Sequence, residues 1–184
     1  MIIGDPYKFG FLIERVSDWE YPPFVNGLMF LYLNGKAYPE ELRTTTFSTE
    51  LPELLDEASP LVKPKENKKL FYLDSDERFE QLAALTYPEN IDKENDLSYL
   101  VPFHEINDSG HAVFVLTDGE NVLITAGEWS EGKLLPKNEY ILPLSQYNKV
   151  VDGLRSFYDE MTPAKKPAKA KSKVTIHKIK KDGK

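Results

Sequence analysis

The residue types that could support metal or acid–base chemistry lie close together in one stretch of the chain. His104 and Glu105 are followed by His111, seven positions after the first histidine. Histidine-based zinc sites on helices use a closer spacing, His-x-x-x-His, which this sequence lacks. The third histidine, His177, lies near the end of the sequence. We therefore predict no metal site and expect His104 and His111 to be structural or surface residues.

Motifs for cofactor binding and nucleophilic catalysis are absent from the sequence. It contains no Gly-x-Gly-x-x-Gly, no phosphate-binding loop and no Gly-x-Ser-x-Gly elbow. It has no cysteine, which excludes disulfides, thiol nucleophiles and cysteine-ligated zinc. Carboxylates are abundant, but a solvated acidic surface explains most pairs of them. We predict that the protein is not an enzyme, needs no cofactor and has no small-molecule substrate.

Charge is distributed very unevenly along the 184 residues, whose net charge is −7. Residues 1–161 contain 14 basic and 29 acidic side chains, a net charge of −15. Residues 162–184 contain nine lysines and one aspartate, a net charge of +8. This second segment is too polar and too low in complexity to offset its ordering entropy. We therefore predict one acidic domain over 1–161 and a disordered lysine-rich tail over 162–184.

Two features of the sequence bear on cellular location. No apolar run approaches the roughly 20 residues that a membrane-spanning helix needs. The first residues also lack the cationic region and cleavage site of a secretory signal. We expect a cytoplasmic protein without a membrane span.

Apolar periodicity predicts a mixture of strands and helices in the acidic domain. Asn34-Gly35 and Asp118-Gly119 are hairpin turn signals between apolar runs, because these residues tolerate a positive φ. Without regular βαβ alternation, the pattern favours the α+β class, with a mainly antiparallel sheet and about three helices. The predicted strands are 7–16, 27–33, 36–39, 42–47, 111–116, 121–126 and 139–142, and the predicted helices are 50–58, 76–86 and 145–161. Asp74 and Glu77 have the spacing of a capping box for the second helix, and Ser145 is the N-cap predicted for the third. The apolar face predicted for the third helix consists of Tyr147, Val150, Val151, Leu154, Phe157 and Tyr158.

Two groups of residues are candidates for binding a partner. The first consists of acids that have no predicted helix-capping role: Glu89, Asp92, Glu94 and Asp96. The second places an aromatic side chain between acids just after a strand: Glu128, Trp129 and Glu131. Aromatic anchors in charged surroundings are typical of protein interfaces. The competing interpretation is that Trp129, like Trp19, belongs to the edge of the core and that both acidic groups are merely solvated.

Several motifs resemble the immunity protein 42 family of bacterial polymorphic toxin systems. They are residues 2–9 (Ile-Ile-Gly-Asp-Pro-Tyr-Lys-Phe), Trp19, Asn26-Gly27, Asn34-Gly35-Lys36 and Pro39. Gly127-Glu128-Trp129 and residues 139–143, followed by an amphipathic helix, are compatible with the same family. The resemblance covers about 1–160 and leaves out the lysine-rich tail. It implies a cytoplasmic α+β protein that binds and neutralises a cognate toxin domain, and it assigns no catalytic residue.

Three functions therefore compete at the level of sequence. The first is an immunity protein that occludes a cognate toxin, such as one of the nuclease type, whose cationic surface would be attracted to an acidic inhibitor. The second is a non-catalytic adaptor or scaffold whose basic tail contacts nucleic acid or an anionic membrane surface. The third is an enzyme that uses carboxylates of the acidic domain. We favour the first.

Overall fold

A computed structural model describes residues 1–90 and 92–162 of the chain. The order of elements confirms the predicted α+β class, with two sheets and three helices of eight or more residues. The lysine-rich tail predicted to be disordered lies, from residue 163 onwards, outside the described residues. The strands are β1 Ile2–Asp5, β2 Phe9–Arg15, β3 Asn26–Leu33, β4 Lys36–Tyr38, β5 Thr45–Thr46, β6 Lys65–Glu66, β7 His111–Thr117, β8 Asn121–Ser130 and β9 Lys133–Pro143. The helices are α1 Phe47–Leu54, α2 Lys68–Phe71, α3 Ser75–Thr86, α4 His104–Asp108 and α5 Leu144–Met161.

The first sheet has the antiparallel order β1-β2-β3-β4, and β5 also pairs with β3. Asn34 and Gly35 form the β3–β4 turn with φ angles of 47° and 82°, which confirms the predicted hairpin. Of the strand predicted at 42–47, only Thr45–Thr46 pairs in the sheet. The chain enters α1 directly afterwards, so this helix begins at Phe47 and not at Glu50.

The second sheet has the order β6-β7-β8-β9 and is antiparallel except for the short β6–β7 pair. Its central strands are buried on both faces. Odd-numbered residues of β7, such as Val113 and Val115, face the first sheet and α5, whereas Phe114 and Leu116 face α3. A bulge between Ala126 and Gly127 shifts the register of β8 against β9. Both strands are longer than predicted: β8 continues to Ser130 instead of residue 126, and β9 begins at Lys133 instead of residue 139.

The helices begin for reasons other than those that the sequence suggested. Asp74 stands at the N-cap of α3, but its side chain accepts no capping hydrogen bond, so the capping box expected from Asp74 and Glu77 is wrong. Helix α5 begins at Leu144 after Pro143, and Ser145 is not its cap. The apolar face predicted for α5 is correct, because Tyr147, Val150, Val151 and Leu154 are buried.

Two apolar clusters hold the domain together. The larger one lies between the first sheet, α1, α5 and one face of the second sheet. There the ring of Phe9 stacks on Tyr147 with centroids 5.2 Å apart, and the Tyr147 hydroxyl donates to the Leu61 carbonyl at 2.6 Å. The smaller cluster lies between the opposite face of the second sheet and α2–α3, where Phe79 packs edge-on against Phe114. Helix α3 and the second sheet are thereby fixed to each other.

Candidate functional site

The first predicted acidic group lies in the exposed segment that follows α3. Glu89, Asp92 and Glu94 are solvent-exposed and form no salt bridge with any described residue. They therefore present uncompensated negative charge at the surface.

Asp96 has a different position from the other acids of its group. Its carboxylate accepts a hydrogen bond from the Ser98 amide at 2.9 Å and pairs with Lys65 at 3.3 Å. Its backbone amide donates to the Leu85 carbonyl at 2.9 Å, and its carbonyl accepts from the Thr86 hydroxyl. Hydrogen bonds from Ser98, with a smaller contribution from Lys65, lower the pKa of Asp96. Asp96 thus fastens this segment to the end of α3, a role that its sequence position did not reveal.

Trp129 lies beside the end of α3. Its ring packs edge-on against Tyr87 with the centroids 5.2 Å apart, and 40% of the residue remains exposed. Its amide donates to the Gly110 carbonyl at 2.8 Å, which holds the end of β8 in place. Tyr87 ends α3 and stands two residues before Glu89. The structure therefore brings Trp129 towards the first acidic group, whereas the sequence placed them about 40 residues apart.

Glu128 and Trp129, by contrast, point to opposite faces of the second sheet, because side chains alternate along a strand. Glu128 is opposite His111 in the β7–β8 register and pairs with Lys137 at 2.9 Å. The hydrogen bond from Lys137 lowers the pKa of Glu128. The group proposed as Glu128, Trp129 and Glu131 is therefore not one continuous surface.

Glu131 occupies the turn between β8 and β9. Its φ is 51° and that of Gly132 is 79°, so two consecutive residues adopt the left-handed conformation of a tight hairpin turn. Glu131 is exposed at the tip. Sequence reasoning missed this turn because the predicted strand stopped at residue 126.

We define the Trp129 surface as the exposed side chains around the end of α3 and the β8–β9 hairpin. Leu85, on the last turn of α3, is 39% exposed and adds apolar area to this end of the helix. Sequence reasoning missed Leu85 and Tyr87, because their positions at the surface depend on how α3 packs against the second sheet. The surface consists of Leu85, Tyr87, Trp129, Glu89, Asp92, Glu94 and Glu131.

The two histidines of the acidic domain are engaged with neighbouring side chains. The His104 amide donates to the Glu50 carboxylate at 2.8 Å, and the ring nitrogens lie 3.3 Å from Glu50 and Glu53. Burial raises the pKa of Glu50. His111 is buried, 3.0 Å from the Ser109 hydroxyl. Over residues 1–90 and 92–162, no three side chains of ligand type converge to hold a metal ion.

Two surface depressions lie within the described part of the chain. One, of about 270 Å³, is lined by Lys36, Ala37 and Glu40. The other, of about 330 Å³, lies between the start of α3 and β9 and includes Glu139. Glu139 is engaged there by a bidentate ion pair with Arg78 at 2.7 Å. The buried Glu50 lines neither depression, and the second depression holds two carboxylates, those of Asp76 and Glu139.

None of the helices described in the structure has the length and hydropathy needed to cross a membrane.

The fold is similar to that in a solved structure, the crystal structure of CdiI from Burkholderia dolosa AUO158. The TM-score is 0.68 at 21% sequence identity, and the match covers 85% of this chain and 99% of that chain. At this identity the likeness shows a shared fold. The comparison with curated proteins finds no match to the chain.

The sequence profile of immunity protein 42 matches residues 1–157. The match covers both sheets, all five helices apart from the last residues of α5, and every motif that carried the resemblance. It supports a role in toxin immunity and points to a non-catalytic inhibitor. The chain belongs to the immunity protein 42 family.

Proposed function

We propose that this protein binds a cognate bacterial toxin domain in the cytoplasm and neutralises it by occlusion, in a fixed molar ratio and without turnover. The observation that carries the proposal is the family match over residues 1–157. The Trp129 surface supplies a place of contact, since it combines the Tyr87–Trp129 aromatic pair, of which Trp129 is 40% exposed, with carboxylates that have no salt-bridge partner among the described residues.

The charge of the acidic domain favours a cationic toxin, such as a nuclease. A nuclease needs basic side chains to hold the phosphate backbone of its substrate. A body with a net charge of −15 attracts such a surface, accelerates association and disfavours acidic partners. Occlusion then follows, because the inhibitor covers the surface that the nucleic acid would occupy.

Titration of toxin activity tests this function directly. The toxin domain is expected at the end of a large secreted protein encoded by the neighbouring gene. Adding the full chain to this domain should abolish activity at a fixed molar ratio, with no further loss on longer incubation. Substoichiometric protein that continues to destroy toxin would contradict occlusion and support an enzyme.

A charge variant tests the Trp129 surface as the place of contact. Glu89→Gln, Asp92→Asn and Glu94→Gln together remove three free charges, whereas Asp96 is kept because it fastens the segment. We expect slower association with the toxin domain and a weaker dependence of the rate on salt. The matched control removes three exposed acids of α5 (Asp152→Asn, Asp159→Asn and Glu160→Gln). Equal association rates for both variants at every salt concentration would exclude these acids from the contact.

We further propose that the lysine-rich segment 162–184 makes weak contacts with nucleic acid or other anionic surfaces. Its net charge of +8 favours such contacts, which salt would screen. Binding to a duplex oligonucleotide at low salt should disappear when the chain ends at residue 161. If the chain bound the oligonucleotide but not the toxin domain encoded by the neighbouring gene, the adaptor function would replace the immunity function.

A further inference from the structure

The connection between β2 and β3 exposes three large aromatic side chains. Trp19 is 43% exposed, Tyr21 is 76% exposed and Phe24 is 48% exposed. None of their rings stacks on another aromatic ring of the described residues. We define residues 17–25 as the aromatic loop. The three side chains are each at least 43% exposed and lie in one short segment. Exposed apolar patches of this kind are typical of interaction sites.

Backbone hydrogen bonds hold the aromatic loop in a defined shape. The amides and carbonyls of Tyr21 and Phe24 exchange two bonds of 3.2 and 2.7 Å around Pro22-Pro23. The Trp19 amide donates to the Val16 carbonyl at 2.9 Å, and the Asn26 side chain donates to the Trp19 carbonyl at 2.7 Å. A partner would therefore pay little of the ordering cost that a mobile loop imposes on binding.

The charges around the aromatic loop are negative on balance. Arg15 is engaged by Glu20 through two charge-assisted hydrogen bonds. Asp18 has no salt-bridge partner within residues 1–90 and 92–162. The aromatic rings therefore stand beside an uncompensated carboxylate on a body whose net charge is −15.

We propose that the aromatic loop is a second contact surface for the toxin domain, and that it binds an arginine- or lysine-bearing protein surface. Cationic side chains pack on the faces of tryptophan and tyrosine rings, and Asp18 adds a carboxylate for them to pair with. Single-stranded nucleic acid also stacks on aromatic rings, but a polyanion is repelled by this acidic body, as is an anionic membrane. The inference rests on the proposed function, because the toxin domain is the cationic partner in question.

Alanine substitution with a matched tyrosine tests the aromatic loop. Tyr21 and Tyr7 are both highly exposed, at 76% and 80%, and they lie beyond opposite ends of β2. Tyr21→Ala and Trp19→Ala should each raise the Kd for the toxin domain about 30-fold, the size of effect expected of an interface anchor. Tyr7→Ala should leave the Kd within about threefold. Thermal unfolding of each variant checks that the fold is retained, and Trp19→Phe replaces Trp19→Ala if the latter does not fold.

The two tryptophans allow each surface to be observed separately in the intact chain. The sequence contains Trp19, in the aromatic loop, and Trp129, in the Trp129 surface, and no other tryptophan. Incorporation of 5-fluorotryptophan gives one ¹⁹F NMR signal for each, assigned with Trp19→Phe and Trp129→Phe. Addition of unlabelled toxin domain should shift the Trp19 signal to saturation at the same molar ratio that abolishes toxin activity.

The outcomes separate this inference from the proposed function. If the unmodified chain neither binds nor neutralises the toxin domain, both the proposed function and the inference are wrong. If the chain neutralises the toxin while the Trp19 signal and the Kd of Tyr21→Ala remain unchanged, the aromatic loop is not a contact and only the inference fails. A Trp19 signal that shifts with a single-stranded oligonucleotide or anionic vesicles, but not with the toxin domain, would also overturn it.

Discussion

Single buried side chains connect segments of this protein that are distant in sequence. Arg78 donates to the carbonyls of Phe71 and Leu73, each at 2.7 Å, and forms a bidentate ion pair with Glu139 on β9. One side chain thus joins α2, α3 and the second sheet. Removing one partner of such a pair leaves a buried charge unpaired, which generally costs about 3–5 kcal/mol. Residues of this kind are structural, although their charges resemble those of a site.

Asp118 is a second such residue, and it makes stability depend on pH. Hydrogen bonds from the Asn121 amide, the Tyr72 hydroxyl and the Glu120 amide hold its pKa at about 2, below the ordinary 3.8. The folded state binds this proton less tightly than the unfolded state, so the stabilisation is present above pH 4 and is lost as pH falls towards 2. We expect the unmodified chain to have a larger free energy of unfolding than Asp118→Asn, and we expect this difference to be larger at pH 6 than at pH 2.5. Urea denaturation at the two pH values measures it.

The exposed Asp108→Asn serves as the comparison for Asp118→Asn. Its difference from the unmodified chain should not follow the same pH dependence. A constant difference between Asp118→Asn and the unmodified chain over this range would contradict the assignment of the hydrogen bonds to the ionised carboxylate.

Trp129 is the residue at which stability and binding can be separated. Its ring is supported on one side by Tyr87 and exposed on the other. If it anchors the toxin domain, Trp129→Ala should speed dissociation and cost about 2 kcal/mol or more of binding free energy. Trp129→Phe keeps an aromatic ring against Tyr87 and should retain more of the affinity. The measurement is the dissociation rate, and a folded Trp129→Ala with an unchanged rate would assign Trp129 to the core edge alone.

At the scale of elements, the close approach of α5 to the first sheet depends on glycine. A Cβ atom on Gly4, whose φ is +86°, would lie 2.9 Å from Val150 Cγ2 of α5. A Cβ atom on Gly153 would lie 2.6 Å from Ile3 Cγ2 of β1. Glycine inside a helix ordinarily costs about 1 kcal/mol relative to alanine. Gly153 is therefore explained by packing of α5 on β1 and not by helix propensity.

Gly153→Ala should lower the free energy of unfolding by about 1–2 kcal/mol, because Ile3 or the helix must move. Ile3→Ala removes the obstructing methyl group. In that background, Gly153→Ala should instead raise the free energy of unfolding by up to about 1 kcal/mol. Urea denaturation of the four proteins forms a double-mutant cycle. If Gly153→Ala has the same effect in both backgrounds, contact with Ile3 does not explain the glycine.

At the scale of the whole molecule, the acidic domain proposed over 1–161 contains the two apolar clusters of the described residues. This domain carries nearly all the acidic side chains of the chain, whereas nine lysines lie beyond it. We therefore expect that the charge of the lysine-rich segment can be removed without loss of stability.

The Tm of a chain that ends at residue 161 should therefore lie within about 2 °C of the Tm of the full chain. Losing about 1 kcal/mol of the free energy of unfolding would lower the Tm of a domain of this size by more than that. Its net charge changes from −7 to −15. Association with a cationic toxin domain should become faster at low salt, and the difference should vanish near about 0.5 M salt, where charges are screened. Thermal unfolding and stopped-flow association measure the two effects. A Tm loss above about 5 °C would show that 162–184 contributes to the fold.

The sequence alone determined the features of this protein that depend on neighbouring residues. Asn34-Gly35 and Asp118-Gly119 predicted two hairpins because few residues accept the turn conformation. The 3.6-residue period of α5 predicted its buried face, and the motifs of the first 40 residues indicated the family. Charge segregation along the chain is likewise a property of composition.

Only the tertiary structure decided which distant residues meet. The Tyr87–Trp129 contact, the fastening of Asp96 to α3 and the separation of Glu128 from Trp129 all depend on how α3 packs against a bulged sheet. The short elements β6 and α4 likewise exist through their contacts with β7, and their two to five residues carry too little periodicity to predict. The exposure of Trp19 was equally hidden, since the same aromatic residue is typical of a core and of an interface. Packing between remote segments decides between these roles, and local sequence does not encode it.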